Sequence, residues 1–131
     1  MLNSVILIGR LASDPTFREV SNGKNVCEIR LAVQRPFKNQ TNHTYDTDFI
    51  KVTFWEYLAI NVNEYCFKGA TVAVRARLQI RNISVGDKNI DMPEVVGEQI
   101  VFISKPSSKT EIKTDEDVED IPFEEINNSD L

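Results

Sequence analysis

The chain has 131 residues, 41% of them hydrophobic and 27% charged, which is the make-up of one globular domain with little left over for a second. No apolar run approaches the roughly 18 residues of a membrane span, and the opening MLNSVILIGRLA reaches Arg10 with no basic lead or cleavage site, so it does not read as a signal peptide. The net charge of −5 divides unevenly: residues 1–105 carry 13 basic and 11 acidic side chains (+2), while residues 106–131 carry 2 and 9 (−7). A mildly basic body with an acidic tail leaves nucleic acid open as a partner, which the undivided charge would argue against.

Val5-Ile6-Leu7-Ile8 is a short apolar run whose β-branched residues and following Gly9 favour a strand. Asp14-Pro15 and Asn22-Gly23 are turn signals. From Val26 to Arg35 the pattern alternates, with Cys27, Ile29, Leu31 and Val33 on one side and Glu28, Arg30 and Gln34 on the other. Phe37 to Asp48 reads as a polar loop. A third strand, Phe49–Trp55, turns Ile50, Val52 and Phe54 inward and Phe49, Lys51, Thr53 and Trp55 outward.

The period then changes. Leu58, Val62, Tyr65 and Cys66 fall on one helical face, predicting a helix over 58–68 stopped by Gly69. A fourth strand, Val72–Arg81, alternates Val74, Ala76, Leu78 and Ile80 with Arg75, Arg77, Gln79 and Arg81. Gly86-Asp87 marks a hairpin tip, and a last strand runs from about Glu94 to Ile103. An all-β chain of five strands with one helix between the third and fourth predicts an OB-fold, a five-stranded Greek-key barrel, over residues 1–105. Beyond Lys105-Pro106 the chain is too acidic and too poor in apolar residues to offset its ordering entropy, so 106–131 is predicted to be a disordered acidic tail.

Two exposed aromatics beside a row of arginines invite a specific explanation. A single nucleic-acid strand offers phosphates that arginines neutralise and unstacked bases on which aromatics stack, at about 1–3 kcal/mol per base and with little regard to sequence. Taken singly, the aromatics fit a covered interface and the arginines a solvated strand face. No helix is placed for reading a duplex groove. His43 alone leaves no base for acyl transfer, and the five glycines are scattered, with no phosphate-cradling loop, so neither an enzyme, a metal site nor a cofactor is expected. Cys27 and Cys66 lie on predicted core faces and read as free thiols.

VILIGRL, DPTFR, the Asn-Gly pair at 22–23, RLAVQR, DFIKVTFW and VRARLQIRN stand in one order and spacing across residues 1 to about 105. Together they resemble the bacterial and phage single-stranded DNA-binding protein family. The resemblance implies an OB-fold that binds and protects single-stranded DNA without regard to sequence in replication, recombination and repair, as a cytoplasmic, nucleoid-associated homotetramer. Position by position it implies stacking by Phe37, Phe49 and Trp55, and DNA contacts by Arg10, Arg18, Lys51, Arg77 and Arg81, with Arg75 sharing their face. A further stacking position falls on Ile83, which has no π-face to offer. The family's acidic tail closes in a Pro-Phe tip that captures replication and repair proteins. Here Asp120, Ile121, Pro122 and Phe123 match it, but eight residues follow and the terminal carboxylate belongs to Leu131. A solubilising tail is the competing reading of that segment, and an OB module for RNA or an oligosaccharide is the competing reading of the body.

Overall fold

In the computed structural model of the chain, residues 1–104 are described. The predicted acidic tail, with Asp120, Ile121, Pro122 and Phe123, lies outside the described residues. The elements are β1 (Val5–Leu11), β2 (Thr16–Glu19), β3 (Asn25–Lys38), β4 (Tyr45–Trp55), α1 (Glu56–Tyr65), β5 (Thr71–Val85) and β6 (Lys88–Ser104). The sheet runs β1-β5-β6-β4-β3-β2, and a further β1–β3 pairing closes β1, β3, β4, β6 and β5 into a five-stranded barrel. Among the described residues only β4 and β6 pair in parallel. Parallel neighbours need a long connection, and α1 with β5 supplies it. This is the OB-fold that the pattern predicts.

The barrel is filled by the inward half of each alternation: Cys27, Ile29 and Leu31 from β3, Val52 and Phe54 from β4, Val72, Val74 and Ala76 from β5. Ala59 and Val62 of α1, with Leu11, Cys66 and Ala70, complete the cluster. Each large member contributes about 1.5–3 kcal/mol by leaving water. Phe54 occupies the space a Cβ on Gly97 would take, so β6 can cross the ring only with glycine there. Cys27 and Cys66 are buried and free, as their positions suggest, and burial pushes both thiols up to about 11.

Several boundaries differ from the sequence pattern. The first strand continues through Leu11. A strand absent from the pattern, β2, pairs Thr16–Glu19 against Asn25–Glu28; all four of its residues are exposed, so no buried face writes an alternation into them. Half of the predicted loop 37–48 is strand, because β3 runs to Lys38 and β4 starts at Tyr45. That hairpin projects beyond the core, where strand pairing continues without apolar periodicity. The same is true of β5 and β6, which pair out to Val85 and Lys88. Leu78 and Ile80, predicted inward, are therefore 44% and 58% exposed.

The helix starts at Glu56 and ends at Tyr65. It buries Ala59 and Val62 while Tyr65 faces out. Gly69 does not stop it: at φ 92° it forms the next turn, where its N–H donates to the Leu11 carbonyl at 2.9 Å. Thr53, predicted exposed, is buried.

Candidate nucleic-acid interface

Residues directly opposite one another on paired strands share a face, so the register shows what lies beside what. Arg18, Val26 and Trp55 form one row across β2, β3 and β4. Thr16, Glu28, Thr53, Val96 and Arg77 form a second, running on through β6 to β5. Arg30 stands opposite Lys51, and Arg10 and Phe49 flank Ala32 from either side. The outer face of the barrel thus collects Arg10, Arg18, Phe49, Lys51, Trp55 and Arg77 from four strands. Arg75 and Arg81 share the parity of Arg77 on β5. Phe37 is 62% exposed but sits out on the β3–β4 hairpin, within the register shift between Gln34 and Lys38.

Trp55 is 37% exposed at the corner where strand becomes helix. Its own backbone is extended, and Glu56 takes up the bend at φ 55°, which costs a non-glycine residue about 1–2 kcal/mol. The Glu56 carboxylate accepts the Asn25 N–H at 3.2 Å and pins the corner. The ring therefore stays on the sheet face. Phe49 is 53% exposed, and the Arg30 guanidinium lies 4.8 Å from its centroid. Arg30 is absent from the residues singled out in the sequence: its alternation reads as a solvated strand face, and only the pairing of β3 with β4 brings it to Phe49. Tyr45 was likewise hidden in the predicted loop, and Lys38 lies 5.9 Å from its ring centroid.

The cations differ in what already holds them. Glu98 accepts from Arg75 at 2.9 Å and from Arg77 at 3.3 Å. It reaches both because Ala76 pairs with Gly97 while Arg75 pairs with Gln99, leaving Glu98 as the extra residue of a bulge. Glu94, nearly buried, accepts from Arg81 at 2.6 Å and from Gln79 at 3.4 Å. Glu28 lies 3.4 Å from Arg18 and 3.9 Å from Lys51. Arg35 donates twice to Asp48 at 3.0 Å, and this bonding holds the Asp48 carboxyl below its usual range. Ile83 lies on the far hairpin opposite Ile90. A shallow cavity of about 250 Å³ opens among Ser13, Thr16, Glu28, Arg30, Phe49 and Lys51. A larger apolar hollow of about 450 Å³, lined by Tyr65, Ala70, Phe102 and Ile103, shares no residue with this face.

The model of the Single-strand binding protein family matches residues 2–103. The chain belongs to that family. A single-stranded DNA-binding protein of Oceanobacillus iheyensis is 39% identical over 110 residues, which cover 83% of this chain and 68% of that one. One from Bacillus cereus is 41% identical over 104 residues, covering 79% and 61%. Single-stranded DNA-binding protein B of Bacillus subtilis is 37% identical over 111 residues, covering 83% and 97%. The chain thus spans about two thirds of some family members and nearly all of others. A solved Plasmodium falciparum SSB in complex with ssDNA has the same fold, with a TM-score of 0.65 at 20% identity over 79% of this chain and 96% of its own. Among the described residues no helix is long and apolar enough to cross a membrane.

Proposed function

We propose that this chain binds and protects single-stranded DNA without regard to sequence, as a non-enzymatic member of its family acting in replication, recombination and repair. One observation carries the reading: Phe49 and Trp55 stand exposed at two points of one strand face, with Arg10, Arg18, Arg30 and Lys51 beside them. Stacking rings interleaved with cations suit a strand whose bases are unpaired. The names of the relatives support the same substrate. A mobility-shift titration with single-stranded DNA, single-stranded RNA and duplex of equal length tests it, with tightest binding expected for the DNA single strand. Equal binding to RNA favours a general single-strand binder, and preference for duplex refutes the proposal.

Self-association, to a homotetramer as in the family, belongs to the same proposal. Ile6, Ile8 and Val101 are 71%, 59% and 50% exposed on the outer face of β1 and β6. Val5–Gly9 pairs with β5 on one side only, leaving an open strand edge. An apolar face beside an unpaired edge is what an interface between copies requires. The acidic segment 106–131 is the proposed tether for replication and repair proteins, with Phe123 as its apolar anchor. Cytoplasmic, nucleoid-associated residence follows from this substrate.

A further inference from the structure

We propose that the DNA backbone is gripped chiefly at a phosphate site formed by Arg10 and Arg30 beside the Phe49 stacking position, while the arginine row of β5 is masked by the protein's own carboxylates. The inference rests on the single-stranded DNA reading and says which cations carry it.

The ion pairs sort the arginines. Arg75 and Arg77 share Glu98, Arg81 is held by Glu94, Arg18 lies against Glu28, and Arg35 against Asp46 and Asp48. Among the described residues Arg10 and Arg30 form no ion pair, although both are exposed. A phosphate arriving at Arg77 must displace Glu98, and the freed carboxylate then takes up a cation from solution. At Arg10 or Arg30 nothing has to be displaced. The free cations, not the longest cationic row, should therefore dominate both affinity and net ion release.

Geometry brings those two cations to one place. Arg10 is opposite Ala32, and Arg30 lies two residues along β3 from Ala32, so Arg10 and Arg30 are diagonal neighbours. Such neighbours stand about 7–8 Å apart at the backbone, within reach of a common phosphate for side chains this long. Ala32 between them is small and leaves the space open. Phe49 lies on the other flank of Ala32, with Arg30 against its ring. A base stacked on the uncovered side of Phe49 would place its phosphate beside these guanidiniums. On its other side Arg30 lines the shallow cavity with Ser13 and Thr16, whose hydroxyls offer further donors. Glu28 lines it too, but lies toward Arg18 and Lys51, so the phosphate is favoured on the Arg10 side.

The test is titration of the full chain with oligo-dT across a salt series, followed by Trp55 fluorescence and by mobility shift. Arg10→Gln and Arg30→Gln should each weaken binding about tenfold at low salt and flatten the log–log salt slope by about 0.7. Arg77→Gln should stay within about threefold of the parent. Glu98→Gln should tighten binding and steepen the slope by unmasking Arg75 and Arg77. Arg30→Lys guards against a folding artefact: it keeps the charge, and so the slope, while losing the planar contact with Phe49. If the parent binds no single-stranded DNA, the functional reading fails and the inference falls with it. If the parent binds and Arg30→Gln leaves the slope unchanged, or Arg77→Gln costs as much as Arg30→Gln, the inference alone is overturned.

Discussion

Replacing Phe49 with Ala removes a ring that is 53% exposed and touches Arg30 on the sheet face. A fully buried Phe contributes about 1.5–3 kcal/mol, so the covered half of this ring stabilises the fold by about 1 kcal/mol. The exposed cation–π contact adds about 0.5–1 kcal/mol. The fold should therefore lose about 1.5–2 kcal/mol and remain folded, since such domains hold about 5–15 kcal/mol. Loss of one stacked base should cost a further 1–3 kcal/mol of binding, or about 5-fold to 150-fold in Kd. Urea unfolding gives the first quantity and titration with oligo-dT the second. Trp55 is the only tryptophan and lies six residues along the strand, about 20 Å away, so it reports binding without being part of the change. A variant destabilised as stated but with unaltered affinity would show that Phe49 only packs against Arg30, and stacking there would be refuted.

Trp55 fluorescence should be quenched on saturation with oligo-dT, and Trp55→Ala should weaken binding by about 1–3 kcal/mol; unchanged emission counts against its stacking role. Deleting residues 107–131, which carry the whole −7 of the predicted tail, should raise single-stranded DNA affinity at low salt and less so at high salt, because screening weakens competition by its carboxylates. A chain ending at Phe123 should bind partners at least as well as the full chain; weaker binding there would place partner capture elsewhere. Gly97→Ala should destabilise the fold by about 1–3 kcal/mol, because the new methyl group and the Phe54 ring claim the same space; a wild-type urea midpoint refutes that packing. The Cys27 and Cys66 thiols, raised from 9.0 to about 11, hold their protons longer folded than unfolded. Their contribution to stability is complete below pH 9 and fades between pH 9 and 11, so urea midpoints should decline over that window, and alkylation at pH 8 should be slow until the chain unfolds.

By itself the sequence determined what depends on neighbours along the chain. Period-two alternation separated Cys27, Ile29 and Leu31 from Glu28 and Arg30, and Val52 and Phe54 from Phe49, Lys51 and Trp55, because the pleat sends successive side chains to opposite faces. The change of period after Trp55 located the one helix among the described residues, and the division of charge separated the acidic segment from the body. Pattern weakened wherever a strand left the core: β2 and the outer halves of both long hairpins are held by backbone ladders that need no apolar periodicity. For that reason alternation points Leu78 and Ile80 inward although both are exposed, and Phe37 and Tyr45 read as loop although both lie in strands. Only the tertiary structure decided which charges meet. Alternation shows which face a residue takes but not what lies across from it, and the register that sets Glu98 between Arg75 and Arg77 and Arg30 against Phe49 joins segments some twenty residues apart. One bulge at Glu98 turns Arg75 and Arg77 into partners of a single carboxylate and Glu94 holds Arg81, while Arg10 and Arg30, plain in the sequence, form no ion pair among the described residues and stand beside an exposed ring.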